Sequence, residues 1–295
     1  MRYFHGVKGK KNSYEGWYFK HQGKNHSLAL IPSICTDESG KPSAQVQIVT
    51  EKKSWTVPIS MCEFNSEEDQ LSVRMDNSYF TERGCTLNIH VKGLDLTGRI
   101  EYDELMYLDK DIMGPFRFMP KMETRHGIVS LYHTLSGSIK INKETWDFNQ
   151  GIGYIEMDWG TTFPKQYVWT HAAWKDTYEN CIVAAAAQVP VLNFNFNGFI
   201  GCLLYQGQQV VIASYFGAKV KEMSSEKIVV EQKQMRLEIE LLNHHPVELL
   251  APEQGKMVRK TTEHLRTSVQ YRFFQNNGCI FDVVQEEASF ESFLK

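Results

Sequence analysis

Apolar and polar residues alternate in many short runs, each stopped within a few residues by Gly, Asn, Asp or Pro, and this pattern limits the possible folds more than any other feature of the chain. Runs such as 46–49, 87–91, 139–141, 210–213 and 228–230 have the period of two that sends successive side chains to opposite faces of a strand. The segments from Glu38 to Gly40 and from Asn276 to Gly278 fall between such runs and read as hairpin turns, because Gly and Asn accept the positive φ that tight hairpins need. Helical periodicity is scarce. The best candidates, residues 252–257 and 286–293, are short and poorly formed. Residues 109–120 contain MGPFRFMP and read as a long ordered loop, since Pro and Gly interrupt regular pairing. Many strands without intervening helices predict an all-β chain of sandwiches or barrels rather than a parallel α/β sheet.

At 295 residues the chain suits two medium domains, at about 100–200 residues each. The polar, turn-rich KETWDFNQG stretch places the boundary near residues 145–150, giving domains 1–147 and 148–295. A loose echo supports two related halves: GWYFK near the start, and the YIEMDWG to YVWTHAAW region, both mix Trp and Tyr with charged residues. A hydrophobic fraction of 42% with 23% charged residues is ordinary globular composition. The net charge of −3 supplies no positive field, so nucleic acid is excluded as a partner, and the lysines at 8, 10 and 11 and the Arg259–Lys260 pair read as solvated surface. The first residues lack the apolar core of a secretory signal and no run reaches the roughly 18 apolar residues of a membrane span, so the expected location is cytoplasmic, without an integral membrane segment but open to transient membrane contact. The most apolar stretch, 181–192, reads as buried core. Six scattered cysteines without a CxxC pair read as reduced, buried thiols.

The segment richest in chemistry is GIGYIEMDWGTTFPKQYVWTHAAW, residues 151–174. As a strand, 154–160 sets Tyr154, Glu156 and Asp158 on one face and Ile155, Met157 and Trp159 on the other. Two carboxylates and a phenol then share a wall. On a cavity, poor solvation favours the protonated carboxyl and makes it an acid; on the surface, the same wall is simply the wet side of the sheet. Tyr167, Trp169 and His171 alternate likewise, opposite Val168, Thr170 and Ala172, and could either surround an apolar ligand or pack a core. The histidines at 126, 133 and 171 show no HExxH or similar spacing, so no metal is expected. GxSxG, GxxxxGK[ST] and GxGxxG motifs are absent, which argues against serine hydrolases and nucleotide-dependent enzymes.

Several motifs in order, FHG at 4–6, YEGWYFK at 14–20, MGPF at 113–116, HGIVS at 126–130, GIGYIEMDWGTTFP at 151–164 and LLAPEQGKM at 249–257, make the chain resemble the tocopherol cyclase-like family over nearly its whole length. The resemblance implies two lipocalin-like antiparallel β-barrel domains, similar to those of carotenoid hydratases, and a cofactor-independent reaction on a hydrophobic small molecule such as a prenylated quinol. An acid protonates the trisubstituted alkene, and a phenol oxygen captures the tertiary cation away from bulk water. Carried over by motif, Glu156 is the first choice of proton donor and Asp158 the second, although plant-like members carry Asn at the latter position. Trp17, Tyr18, Trp159 and Trp169 are the implied cavity lining, with Glu15, Lys20 and His126 at its polar end and Tyr154 and His171 beside the ligand. The rival expectation is a non-catalytic lipocalin-like protein that holds a hydrophobic ligand, its carboxylates being structural.

Overall fold

The computed structural model describes residues 2–119, 122–191 and 194–294. The first of its two antiparallel sheets contains β1 (Ser13–Gln22), β2 (Ser27–Thr36), β3 (Pro42–Thr50), β4 (Ser54–Ile59), β5 (Phe64–Ser66) and β6 (Ser72–Met75). It continues with β7 (Ser78–Thr81), β8 (Gly84–Val91), β9 (Leu94–Tyr102), β10 (Thr124–Ile141), β11 (Glu144–Asp147) and β12 (Gly151–Gly160). Its order is β4-β3-β2-β1-β12-β10-β9-β8-β7-β6-β5, with β11 paired to β10. The second sheet contains β13 (Tyr167–Lys175), β14 (Glu179–Val191), β15 (Phe194–Tyr205), β16 (Gln208–Ala213) and β17 (Lys219–Met223). It is completed by β18 (Lys227–Gln232), β19 (Met235–Leu241), β20 (Val247–Glu253), β21 (Lys256–Gln275) and β22 (Gly278–Phe293). Its order is β16-β15-β14-β13-β22-β21-β19-β18-β17, with β20 paired to β21.

The chain is therefore all-β, as its alternation predicts. Among the described residues there are two large antiparallel sheets and no closed barrel is detected, an arrangement consistent with the expected lipocalin-like fold. The anticipated turns form where expected. Asn276 and Asn277 both take positive φ, at 51° and 64°, and join β21 to β22, while Gly40 at φ 86° lies in the turn from β2 to β3. The two helical candidates are not helices: residues 252–257 turn from β20 into β21 through Gln254 and Gly255, and 286–293 lie in β22, where cross-strand pairing outweighs a weak local pattern. The MGPFRFMP loop carries one 3₁₀ turn, Gly114–Phe118; its last residue, Pro120, is outside the described residues, as is Leu192 of the apolar 181–192 stretch.

Two compact units follow from the pairing. One takes in residues up to Tyr107 together with Glu123–Phe163 and Leu250–Arg259, and the other Leu108–Met122, Pro164–Leu249 and the residues from Lys260 onward. The boundary expected at 145–150 lies inside the first unit, because β12 pairs with both β1 and β10. Each unit has its own apolar core, the first around Trp17, Phe19, Phe80, Phe148 and Ile155, the second around Val168, Phe199, Tyr271 and Phe290. Cys35, Cys85, Cys181 and Cys202 are buried free thiols, whereas Cys62 and Cys279 are exposed, contrary to the expectation that all six are interior. No helix of the described residues is long and apolar enough to cross a membrane.

Candidate active site

Three neighbouring strands, β1, β12 and β10, build the site in the first unit. The period of two places Ile155 and Met157 of β12 in the apolar core, together with Trp17 and Phe19 of β1. Tyr154, Glu156 and Asp158 consequently face the other way, as the sequence predicts. Cross-strand register then sets their neighbours: Glu156 stands between Tyr18 and Ile128, Asp158 between Gly16 and His126, and Tyr154 beside Lys20. β10 loses register just beyond Ile128, and such bulges re-aim side chains without ending the sheet.

This face is not the wet side of the sheet. Tyr154 is fully buried, Glu156 is 6% exposed, Lys20 1% and His126 9%. The Tyr154 hydroxyl donates to Glu156 Oε2 at 2.5 Å. His126 Nδ1 lies 2.9 Å from Asp158 Oδ1, and since an ionised carboxylate only accepts, this nitrogen carries the proton. The opposite ring nitrogen, Nε2, faces Glu156 Oε2 at 3.6 Å. His126 thus spans the two carboxylates, one ring edge to each. A row further along, the Tyr14 hydroxyl donates to Thr124 Oγ1 at 3.0 Å; burial, and then the charge on Asp158, raise that phenol well above its ordinary range, so it stays protonated. Among the described residues His126, Glu156 and Asp158 also form a trio whose ligand atoms all lie within 4.8 Å of one another, a donor set suited to a divalent cation. Strand pairing, not sequence spacing, creates that trio.

Three other predicted residues, Trp17, Glu15 and Trp159, lie on the opposite face of this sheet. Trp17 is fully buried in the core and donates from Nε1 to the Tyr3 carbonyl at 3.0 Å. Glu15 and Trp159 share its side of the sheet. Glu15 accepts from the His5 backbone N–H and approaches His5 Nδ1 at 2.8 Å, while Trp159 stacks on the same imidazole at 4.4 Å. These three fasten the N-terminal segment and are not part of the Glu156 wall. Adjacent residues on a strand point to opposite faces, so Trp17 and Tyr18 cannot line one cavity. Trp169 and His171 belong to the second unit, on its own non-core face. Tyr14 and Thr124 were not anticipated, although Tyr14, Gly16, Tyr18 and Lys20 alternate visibly within YEGWYFK.

A buried carboxyl held by a phenol and flanked by an imidazole–carboxylate pair, on an all-β scaffold of two sheets, is an arrangement chemically able to move a proton in a poorly solvated place. The tocopherol cyclase-like family model matches residues 100–292, and the chain belongs to that family. Among solved structures, the fold resembles an AttH-like protein from Nitrosomonas europaea (TM-score 0.60, 10% identity, covering 95% of this chain and 92% of the other). It also resembles kievitone hydratase from Nectria haematococca (TM-score 0.55, 10% identity, 98% and 92% covered). At such identity these likenesses speak to fold alone. No curated protein matches the sequence.

Proposed function

We propose that the protein is a cofactor-independent enzyme that protonates a carbon–carbon double bond of an apolar isoprenoid or prenylated quinol, leading to cyclisation or hydration. One observation carries the reading: Glu156 is buried on the face opposite the core and receives the Tyr154 hydroxyl on Oε2. In its acid form the proton sits on Oε1. Donation to the less substituted alkene carbon forms a C–H bond and leaves a tertiary cation, while the Tyr154 hydroxyl stabilises the carboxylate left behind. The substrate's phenol oxygen, or a water, closes on the cation and releases a proton. His126 Nε2, 3.6 Å from Glu156 Oε2, takes up that proton and returns it, and Asp158 holds the imidazole in the required tautomer from Nδ1. Membership of the tocopherol cyclase-like family supports cyclase or hydratase chemistry.

The test is turnover of geranyl hydroquinone by wild type and Glu156→Gln, with chelator present and absent. Product formation by wild type in chelator, lost in the variant, is expected. Equal turnover by both proteins removes Glu156 from the role, and loss in chelator transfers the role to a metal held by the His126 trio. Binding of the probe without turnover by either protein favours a carrier of hydrophobic ligands.

A further inference from the structure

β1 carries a glycine that the fold does not require. Gly16 lies in the middle of the strand, with φ outside the left-handed region. A Cβ here would meet Ser33 Cβ of β2 at 3.6 Å and the Pro32 carbonyl oxygen at 3.8 Å, which are ordinary contacts. At Gly84, Gly98, Gly137, Gly151, Gly153 and Gly160, in strands of the same sheet, the nearest atom would lie 2.0–2.6 Å away, so packing forbids a side chain there. Packing does not forbid one at Gly16. Glycine in a strand interior loses the most freedom on folding and packs nothing, and one use that offsets the cost is to let a ligand come close.

Exposure marks the same place independently. From Tyr14 to His21 every residue of β1 is buried except Gly16, which is half-buried. Its direct partner on β12, Asp158, keeps 18% of its side chain exposed, whereas the preceding residues from Gly153 to Met157 are buried. Solvent therefore reaches this wall in the row of Gly16 and Asp158. Gly16 alternates with the core residues Trp17 and Phe19, so the missing side chain leaves its gap on the face that carries Glu156. Tyr14 and Tyr18 stand on that face two positions to either side, about 13 Å apart at roughly 3.3 Å per residue. The result is a slot one side chain wide between two tyrosines, with a carboxylate beside it. Asp158 Oδ1 engages His126 Nδ1, and a carboxylate offers about four acceptor sites on its two oxygens, so the slot brings an acceptor for an O–H group.

We propose that the slot at Gly16 is the head-group subsite of this centre: it takes the hydroxylated aromatic ring of a quinol, and the absent side chain of Gly16 sets its width. The ring lies between Tyr14 and Tyr18, whose aromatic bodies suit a flat apolar partner, and one ring hydroxyl donates to Asp158. Glu156 follows one same-face position further along β12, about 7 Å away, which is about the reach from a quinol ring to the first alkene of its prenyl arm. The identity of the ligand rests on the reaction proposed above, while the subsite itself is read by binding alone. A larger residue at 16 excludes the ring and leaves the acid in place.

Equilibrium dialysis under nitrogen tests the subsite, with geranyl hydroquinone and its bis-methyl ether as probes. Glu156→Gln is the background, because the proposed reaction would not consume the probe there. The hydroquinone should bind at least tenfold more tightly than the ether, and Gly16→Val in that background should abolish the difference. A β-branched residue suits a strand, so a purely structural role for Gly16 predicts no such loss. Equal binding of the two probes, a hydroquinone affinity that Gly16→Val leaves unchanged, or binding of neither probe overturns the subsite. Should Gly16→Val lose native near-ultraviolet circular dichroism, Gly16→Ala serves instead: its methyl group has room in the strand, so the hydroquinone affinity must still fall at least threefold, and an unchanged affinity contradicts the assignment. Turnover of the hydroquinone by Glu156→Gln counts against the acid and leaves the comparison at residue 16 intact, since retained probe and product are counted together.

Discussion

The two sheets place a glutamate at the same point of their central strands, Glu156 on β12 and Glu291 on β22, and surround it differently. In the first unit the residue across on β10 is Ile128, and the polar partners are Tyr154 and the His126–Asp158 pair. In the second it is Glu263, with Tyr167 and Thr261 as donors. One strand position therefore holds either a buried glutamate beside a tyrosine and a histidine–aspartate pair or a buried glutamate facing a second one, according to what the neighbouring strand brings. The cores beneath differ as well. His21, Gly153 and His133 form a row on β1, β12 and β10, whereas Ala288 and Thr267 hold the matching places on β22 and β21.

The largest effect expected from breaking this comparison is on chemistry. Glu156→Gln preserves size and the Tyr154 contact yet removes the acidic proton, so kcat should fall about 10²–10⁴-fold with an unchanged melting temperature. Next comes Gly153→Ala. A Cβ there would meet His133 Nε2 at 2.0 Å, with two more ring atoms at 2.5 and 2.6 Å, whereas alanine already sits fully buried at 288. Urea unfolding should show a loss of about 1–3 kcal/mol, and adding His133→Ser should restore part of it; additivity of the two changes would break the comparison.

A third effect follows from the same row. Burial lowers His21 to about 4, and burial with the neighbouring His21 lowers His133 to about 3, from an ordinary 6.5. Both are neutral in the folded protein and protonate more readily when it unfolds. Their contribution is thus complete above pH 6.5 and is lost as pH falls toward 4 and then 3, by about 1.4 kcal/mol per pH unit for each group. In the second unit His264 is lowered to about 4 by burial and then by His244 and His245, and His171 is buried on β13. Hydrogen exchange between pH 7 and 4.5 should therefore find β1 and β10 losing protection as pH falls, and protection there that is unchanged over this range would contradict the assignment. The smallest effect is that of Asp158→Asn, which weakens a charge-assisted hydrogen bond to His126 and should lower kcat roughly tenfold. Because Asp158 acts through His126, the alkaline limb of the pH–rate profile must shift too; a uniform loss at all pH values would mark a structural role.

Much of this was legible from the residues alone. The period of two in YIEMDWG assigns both faces of β12 correctly, and the paired asparagines at 276 and 277 announce the hairpin they form. Of the echo between GWYFK and the YIEMDWG to YVWTHAAW region, only the YVWTHAAW part, β13, holds the place that β1 holds in its own sheet, while YIEMDWG is β12 and pairs with β1 itself. What escaped was register. His126 meets Asp158 across 32 residues, and Glu263 meets Glu291 across a bulged hairpin, and neither spacing leaves a local signal. The same long-range pairing carries β12 into the first sheet beyond the polar stretch at 145–150, where composition suggested a boundary. Glu15 and Trp159 were misplaced for another reason: the N-terminal segment that covers them, through His5, has no alternation to reveal its course.

The account rests on Glu156 delivering a proton to carbon, and mass spectrometry of the product formed from geranyl hydroquinone in D2O reads that event. Wild type should place one non-exchangeable deuterium on the protonated alkene carbon of every product molecule, with formation suppressed by orders of magnitude in Glu156→Gln. Product without carbon-bound deuterium, or equal labelling by the two proteins, would contradict it.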